Sequence, residues 1–327
     1  MPECSNARVR QRADSARPAA FRHSCIPALL SFSLVTSILI NPVSGGATAS
    51  VVRARVEQAR VALRAHGEEG AVIVTERRGH ATELAADAVS RGERRVVSWG
   101  GDGTMNEVAS ALAGTETVLG LIPSGSGNGL ARELGIPREA QAALEVALRA
   151  EPRRIDAGQL DGRWFFSIAG IGFDAQVAAS FDRAASRRRG FGTYARITAR
   201  ELLTYRAATY RVGGGPSREV FLITLANSAQ FGNGMRIAPG ARVDDGVLDL
   251  VVFEERSRVG TILNLPRLVT GTVERARGVT IRQVTETVIE SDRPMAYHVD
   301  GEPRSGGCRL DARVKPGALL VAAPSGT

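Results

Sequence analysis

The chain has 327 residues, of which 43% are hydrophobic and 23% charged, a composition that argues against a disordered, collagenous or multi-span membrane chain. Its length favours two domains over a single core. The formal charge of +8 suits acidic partners such as nucleotides, nucleic acid or anionic lipid surfaces without choosing among them, and Lys315 is the only lysine.

The beginning of the chain allows two interpretations. An apolar stretch from Cys25 to Ile40 follows several arginines and superficially resembles a secretory signal. Alternatively, 34–40 is the first strand of the fold, because the small-residue loop from Asn41 to Gly46 follows it directly. We expect residues 1–33 to be a disordered leader, or to result from a start codon assigned too far upstream. No other segment approaches the roughly 20 apolar residues of a membrane helix.

From residue 34 to about Asp156, short apolar runs alternate with helical patterns, which is typical of βαβ units on a parallel sheet. Each predicted strand leads into a loop rich in Gly, Ser or Asn, and such loops meet at the carboxyl edge of the sheet, where ligands bind. The predicted strands are 34–40, 71–75, 95–99 and 118–122, and the predicted helices are about 50–65, 81–90, 105–113 and 138–149.

After Asp156 the pattern changes to hairpin-like segments, starting at the turn Asp161-Gly162. We predict an α/β domain with a Rossmann-like parallel sheet at 34–157 and a mainly antiparallel β-sandwich at 158–327. The final run 318–322 either completes the sandwich or returns to the first domain. The sandwich strands are predicted at 164–169, 208–213, 219–226, 247–253, 279–283, 287–290 and 295–300, with a helical insert at 173–205 and a helix at 257–270.

The loop from Gly100 to Thr104 lies between a predicted strand and a predicted helix. Glycines there allow close approach of a ligand, and the free amides of a helix N-terminus favour phosphate. Thr104 and Glu107 have the spacing of a capping box, which predicts a helix that begins just after the turn. An acid in an anion-binding turn, Asp102, suggests a divalent cation between it and the phosphates.

Two more small-residue loops, 41–46 and 123–129, follow the first and fourth predicted strands, and Thr75 ends another. Three such loops on one edge indicate a phosphate site. A Rossmann dinucleotide site is disfavoured because 125–129 lacks the GxGxxG spacing. A Walker loop and a protein-kinase site both need a lysine, but Lys315 precedes a proline.

At these residues the chain resembles the diacylglycerol kinase catalytic family, which also contains bacterial lipid kinases, sphingosine kinases and ceramide kinases. The resemblance covers about residue 37 to the C-terminus. Its motifs occur in the family's order: Asn41-Pro42-Val43-Ser44-Gly45, Gly100-Gly101-Asp102-Gly103-Thr104, 124–130, Asp244-Asp245-Gly246 and Asp300-Gly301-Glu302.

The resemblance implies an ATP- and Mg²⁺-dependent kinase that phosphorylates the hydroxyl of a diacylglycerol- or sphingoid-like lipid. Glu302 would be the proton acceptor, beside Asp300, with Asp102 near the metal. A structural Mg²⁺ would bind the Asp245 carboxylate and the main-chain oxygens of Arg242 and Val247. The nucleotide would contact Asn41, Pro42, Val43, Ser44, Gly45, Thr75, Gly101, Asp102, Gly103, Thr104, Met105, Asn106, Glu107 and Ser126.

One position departs from many bacterial diacylglycerol kinases, which carry an acid where this chain has Gly129. That acid joins a network with the positions of Asp102 and Asp156, so metal placement in this chain is open, as is the acceptor lipid. An NAD kinase shares the Gly-Gly-Asp-Gly-Thr loop and is the nearest rival, although 124–130 and Glu302 argue against it. A catalytically silent lipid- or nucleotide-binding module is the other alternative.

The expected partners are a lipid alcohol and an anionic membrane surface, contacted peripherally by a cytoplasmic protein. Arg183 and 187–189 in the helical insert could dock on anionic headgroups, or they could form a solvated basic helix face. No basic-aromatic alternation suggests nucleic-acid binding. The three cysteines show no metal-ligand spacing, and the sequence does not define the oligomeric state.

Overall fold

The computed structural model describes residues 35–184, 191–230, 236–255 and 270–324, together with Gly260, Asn264 and Arg267. From Leu34 onward the chain forms one compact unit. The expected leader, the arginines at 187–189 and most of the predicted helix 257–270 lie outside the described residues. In the part of the chain that the structure describes, no helix is long and apolar enough to cross a membrane.

The first half of this unit alternates strands and helices around a parallel sheet. The strands pair in the order β2-β1-β3-β4, so that their carboxyl ends lie at one edge. The predicted α/β fold of this half is confirmed. Its strands are β1 (Thr36–Ile40), β2 (Gly70–Val74), β3 (Arg95–Gly100) and β4 (Val118–Pro123), and its helices are α1 (Ala49–Ala65), α2 (His80–Ser90), α3 (Asp102–Leu112), α4 (Gly129–Glu133) and α5 (Ala140–Arg149).

The second half is built mainly of antiparallel strands, as predicted. Two helices, α6 (Phe173–Arg183) and α7 (Phe191–Thr204), interrupt it. The pairs β14-β13-β7-β9 and β12-β15-β5 form its main ladders. Its strands are β5 (Pro152–Leu160), β6 (Arg163–Phe165), β7 (Ile168–Gly172), β8 (Ala208–Val212), β9 (Arg218–Ala226), β10 (Leu248–Glu254), β11 (Val279–Val284), β12 (Glu286–Ser291), β13 (Ala296–Val299), β14 (Glu302–Ser305) and β15 (Arg309–Ala322).

The last strand joins the two halves. β15 pairs antiparallel with β5 and β12, and its end pairs parallel with β4 at Val321 and Leu119. Leu319 and Val321 are buried in the same core as the strands and helices of the parallel half. The end of the chain therefore returns to the first half, which is one of the two courses left open by the sequence, while the domain boundaries themselves stay a prediction.

Some predicted elements differ from the observed ones. The predicted strand 164–169 is split into β6 and β7, because the amides of Phe166, Ser167 and Ile168 donate to the Asp300 carboxylate instead of continuing one ladder. The helical insert is two helices, and β5, β14 and the first part of β15 were not predicted. The sequence alternates polar and apolar residues over 309–314, and the structure buries the apolar ones. This period-two pattern would have revealed β15.

Asp156 connects three segments of the second half. Its carboxylate accepts the amides of Gly246 and Gly317, each at 2.7 Å, and its own amide donates to the carbonyl of Val243. Asn227 Nδ2 donates to its carbonyl at 2.9 Å. Asp156 thus ties β5 to the loop before β10 and to the bend of β15.

We predict that Asp156→Ala lowers the free energy of unfolding by about 2 kcal/mol, because two partly buried amides lose their acceptor. Urea denaturation followed by circular dichroism measures this value. Asp311→Ala is the matched control, since the Asp311 side chain is 68% exposed and contacts Arg309 only as a surface ion pair. Equal destabilisation by the two substitutions would contradict the bridging role.

Candidate active site

A cleft of ≈ 570 Å³ opens at the carboxyl ends of the parallel strands, where they face the sandwich. This volume is in the range typical of small-molecule sites. The cleft is lined by Asp102, Asp300 and Glu302, and by every residue that the sequence predicts to contact a nucleotide except Met105 and Asn106. The structure therefore brings the predicted loops and the predicted acids to one place.

The three small-residue loops meet where a side chain would not fit. A Cβ on Gly45 would clash with the carbonyl oxygen of Ser124, and a Cβ on Gly125 would lie 2.6 Å from the Cα of Gly101. Ser44 Oγ and Ser124 Oγ share a hydrogen bond of 2.7 Å between the first and third loops. The rim of the cleft is thus made of main chain packed on main chain.

Asp102 ties the second loop to the third. Its Oδ2 accepts the amide of Asn128 at 2.8 Å, and its Oδ1 accepts the amide of Gly129 at 2.7 Å. Burial raises the pKa of the Asp102 carboxyl, while the two amides oppose this shift. Each carboxylate oxygen keeps acceptor capacity beyond its one amide, so a cation can still be bound.

The capping box predicted for Thr104 and Glu107 is wrong. α3 begins at Asp102 with Gly101 as its N-cap, and no side chain caps it. Thr104 Oγ1 instead accepts Asn41 Nδ2 at 2.7 Å, which joins the first two loops. The carboxylate of Glu107 accepts the amides at residues 79 and 81, so it caps the neighbouring helix α2.

Met105 and Asn106 lie on the side of α3 that faces the interior. Met105 is 5% exposed and belongs to the core of the parallel half. Asn106 Nδ2 donates to the carbonyl of Trp164 at 3.1 Å and to Asp300 Oδ2 at 2.8 Å. Both residues therefore pack behind the wall of the cleft and do not line it.

Asp300 is buried at the turn between β13 and β14. Its Oδ2 accepts Asn106 Nδ2 and the amide of Phe166, and its Oδ1 accepts the amides of Ser167 and Ile168, all within 3.1 Å. Burial raises the pKa of the carboxyl, and the four donors oppose this shift. A carboxylate with four donors has little free capacity to accept a substrate proton.

Glu302 reaches from the sandwich to the second loop. A Cβ on Gly103 would come within 2.6 Å of Glu302 Oε1, and Glu302 Oε2 lies 3.6 Å from Arg78 Nη2. The carboxyl side chain is 23% exposed. Glu302 therefore presents an accessible carboxylate directly opposite the glycine loop.

Several residues of the cleft were not singled out in the sequence, and four of them carry groups that can donate or accept protons or hydrogen bonds beside the predicted acids. They are Arg78, Ser167, Asp174 and His298. His298 Nε2 and Asp174 Oδ2 are 2.7 Å apart, and both side chains are almost fully buried. Since His298 and Asp300 are two residues apart, strand alternation could have placed them on one face. Arg78, Ser167 and Asp174 carried no comparable sequence signal.

The predicted second metal site lies away from the cleft. The exposed Asp245 carboxylate accepts the amide of Val247 at 3.2 Å, and the Arg242 side chain approaches Asp244. A carboxylate with carbonyl oxygens is a donor set that fits a hard cation such as Mg²⁺. Among the described residues, no group of three or more His, Cys, Asp or Glu side chains could hold a metal.

We predict that Gly125→Ala lowers the free energy of unfolding by about 2 kcal/mol, because the new methyl group overlaps the Gly101 backbone and Asn128 Oδ1. Denaturant titration of the purified protein gives this value. Gly240→Ala is the control, because nothing lies within 4 Å of a Cβ there. It should change stability by less than about 1 kcal/mol. An unchanged Gly125→Ala variant would refute close packing of the loops.

Comparison with known proteins identifies the family of this chain. Residues 36–160 match the diacylglycerol kinase catalytic domain, and residues 167–323 match the YegS C-terminal NAD kinase beta sandwich-like domain. A Chromohalobacter salexigens protein named "Probable lipid kinase YegS-like" is 34% identical over 289 residues, covering 83% of this chain and 89% of that protein. A Pseudomonas aeruginosa protein of the same name is 34% identical over 281 residues, covering 83% and 90%.

Among solved structures, a diacylglycerol kinase from Bacillus anthracis str. Sterne superimposes with a TM-score of 0.67 over 90% of this chain and 98% of that chain. At 18% sequence identity this likeness concerns the fold alone. The two domain matches and the coverage of the relatives carry the assignment. The chain therefore belongs to the family of YegS-like lipid kinases that carry a diacylglycerol kinase catalytic domain, and it is a kinase.

Proposed function

We propose that this kinase transfers the γ-phosphoryl group of ATP to the hydroxyl of a diacylglycerol- or sphingoid-like lipid in the presence of Mg²⁺. The observation that carries the proposal is the approach of Glu302 to Gly103 across the cleft. Glu302 could take a proton from a hydroxyl group in the cleft, and it faces the glycine loop around Gly103, which is suited to bind phosphate. Phosphoryl transfer depends mainly on such positioning and on charge neutralisation.

The nucleotide phosphates would be held by the three loops. Glycine contacts between the loops keep them close, and α3 begins within the second loop. The amides and positive end of a helix N-terminus favour negative charge. No lysine is near, because Lys315 lies in β15. Main-chain donors therefore take the role that a lysine has in other nucleotide sites.

Asp102 is the residue that fits Mg²⁺ in the cleft. Its carboxylate is held by two amides and retains acceptor capacity. Mg²⁺ is often bound by one or two protein carboxylates together with substrate phosphates, so a single acid suffices in the donor set. When bound, the cation would neutralise charge on the phosphates. Asp245, with the main-chain oxygens of Arg242 and Val247, would hold a structural ion away from the chemistry.

Glu302 is the better candidate for the general base than Asp300. The Asp300 carboxylate already accepts hydrogen bonds from four donors, and the residue is only 7% exposed. Glu302 has an accessible carboxylate that no hydrogen bond to a backbone amide holds among the described residues. Asp300 would act by holding the turn that presents Glu302.

An apolar acceptor would enter beside α6. Ile168, Ala178 and Phe181 line that part of the cleft, next to the acids. The exposed arginines Arg196 and Arg200, on α7, could contact anionic headgroups, each adding about 1 kcal/mol near such a surface. This arrangement supports peripheral contact of a cytoplasmic protein with a membrane.

We predict that Glu302→Gln lowers kcat by at least about 10²-fold, because the general base is lost, while the affinity for ATP stays within about threefold. Initial rates with γ-labelled ATP and lipid micelles, together with equilibrium dialysis of ATP, separate the two effects. Glu286→Gln, at an exposed position of β12, is the control and should keep the parent rate. A Glu302→Gln variant with more than a tenth of the parent kcat would exclude Glu302 as the base.

We further predict that Asp102→Ala lowers lipid phosphorylation more than tenfold and raises the Mg²⁺ concentration that gives half of the maximal rate. The cation loses its protein carboxylate, and the third loop loses its two acceptors. A Mg²⁺ titration of the initial rate measures both effects. A rate within tenfold of the parent would show that the second loop has another role.

The acceptor is identified by turnover on mixed lipid extracts. Incubation of the extract with γ-labelled ATP and Mg²⁺, followed by identification of the labelled lipid, should give a phosphorylated glycerolipid or sphingoid. A parallel reaction with NAD in place of lipid tests for NADP formation, which would instead support the NAD kinase alternative. Saturable lipid or nucleotide binding without label in any product would indicate a silent binding module.

A further inference from the structure

Helix α6 carries an acid near each end. One acid is connected through a single side chain to the turn before Glu302, and the other is connected through a single side chain to the Glu302 carboxylate. Asp174 lies in the first turn of the helix, and Asp182 lies in its last turn. Between them, Ala178 and Phe181 line the cleft. The helix packs on β7, β13 and β14, the strands that border the site.

The first connection runs from Asp174 through His298 to the turn before Glu302. His298 Nδ1 accepts the amide of Gly301 at 3.2 Å, and a nitrogen that accepts a hydrogen bond carries no proton. Nε2 is therefore the ring nitrogen that donates, and it lies 2.7 Å from Asp174 Oδ2. His298 and Asp174 are 2% and 5% exposed, so water does not compete for these bonds.

The turn that this connection holds is a two-residue hairpin turn at an Asp-Gly pair. Asp300 and Gly301 have φ values of 46° and 83°, both left-handed, and Val299 pairs with Glu302 across the turn. An Asp-Gly pair adopts left-handed φ readily in a hairpin, so contacts from neighbouring elements are needed to fix the position of this turn rather than its shape. The Asp300 carboxylate fixes one side of the turn, and the His298 ring fixes the Gly301 amide on the other.

The second connection runs from Asp182 through Arg78 to the Glu302 carboxylate. Arg78 Nη2 donates to Asp182 Oδ1 at 2.7 Å and lies 3.6 Å from Glu302 Oε2. The hydrogen bond to Asp182, together with the Glu302 charge, raises the pKa of Arg78. Arg78 lies in the loop between β2 and α2, so this connection crosses from the sandwich to the parallel half.

We infer that α6 positions Glu302 from both ends, with Asp174 acting through His298 on the Gly301 amide and Asp182 acting through Arg78 on the carboxylate. This inference rests on the proposed function only for the role of Glu302 as base; the two connections are independent of it. His298 and Arg78 are positioning residues. An acceptor that packs on Ala178 and Phe181 would contact the same helix.

The first connection is tested by His298→Gln in the full-length protein. The glutamine amide can still donate to Asp174, but the flexible side chain has no rigid acceptor at the position of ring Nδ1 to hold the Gly301 amide. Hydrogen–deuterium exchange of the peptide containing 296–305 should become at least tenfold faster, and kcat for dioleoylglycerol in mixed micelles should fall at least tenfold with the KM for ATP within twofold. Unchanged exchange and a kcat within threefold of the parent would overturn this connection.

Asp174→Asn is the conservative control for that experiment, because the asparagine oxygen can still accept from His298 Nε2. It should keep parent exchange in 296–305 and a kcat within threefold. If it matches the His298→Gln variant in both measurements, the charge of Asp174 rather than the hydrogen-bonded ring controls the turn, and the inference fails. Thermal unfolding of each variant shows whether any loss comes from global instability.

The second connection is tested by comparing an arginine of the cleft with an arginine outside it. Arg78→Gln should lower kcat at least tenfold with a small change in the KM for ATP, and Asp182→Ala should reproduce the kcat loss. Arg64→Gln is the matched control, because Arg64 pairs with Glu57 on α1 outside the cleft and should keep parent kinetics. A rise in the KM for ATP without loss of kcat in Arg78→Gln would assign Arg78 to nucleotide binding and overturn its positioning role.

Failure of the proposed function gives a different pattern. If the parent protein phosphorylates no lipid, the kinetic measurements are silent, but the exchange of 296–305 in His298→Gln still decides whether His298 holds the turn. If the parent is active and exchange in His298→Gln is unchanged, the proposed function stands and this inference fails.

Discussion

The cleft depends on the buried carboxylate of Asp300. A charge withdrawn from water costs several kcal/mol unless donors replace the solvent. Four donors do so here, from α3, from the segment between β6 and β7, and from the first residue of β7. The same bonds interrupt the strand that continuous pairing would form, join the parallel half to the sandwich through Asn106, and place Glu302 opposite Gly103. Loss of activity in an Asp300 variant would therefore not identify Asp300 as the base, because its removal displaces the carboxylate of Glu302 as well.

The rim of the cleft, where the three small-residue loops meet, depends on a second constraint, which is the absence of side chains. Gly45, Gly101 and Gly125 bring three loops within van der Waals contact, and a methyl group at Gly45 or Gly125 would overlap the neighbouring backbone. Polar side chains then fasten the loops from outside this contact, through Ser44 with Ser124 and through Asp102 with the amides of the third loop. The charge on the phosphates would be met by amide dipoles and a cation, in a chain with one lysine.

Local pattern was enough to predict the parallel half and the three loops, because βαβ periodicity and glycine spacing are properties of neighbouring residues. The strands β5 and β14 and the split at Phe166 were not predicted, since they depend on partners far along the chain, such as Asp300. The capping-box prediction was wrong for the same reason. Thr104 and Glu107 have the local spacing of a cap, but Thr104 accepts a hydrogen bond from Asn41 instead, and Glu107 accepts the amides at the N-terminus of α2. The pairing of His298 with Asp174 joins positions 124 residues apart.

Gly129 shows how the metal end of the site differs from one with several acids. A Cβ at this position would lie 3.4 Å from Ser167 Oγ and 3.8 Å from Asp102 Oδ1, which are ordinary contacts, so space does not require a glycine. A carboxylate there would face Asp102, and two like charges at that distance disfavour ionisation unless a cation lies between them. With Gly129, the third loop gives Asp102 an amide, and the facing group is the buried Ser167 hydroxyl, which has no hydrogen-bond partner among the described residues. A cation in this cleft would therefore depend on Asp102 and on the phosphates of the nucleotide, and the proposed metal binding and nucleotide binding would then be interdependent.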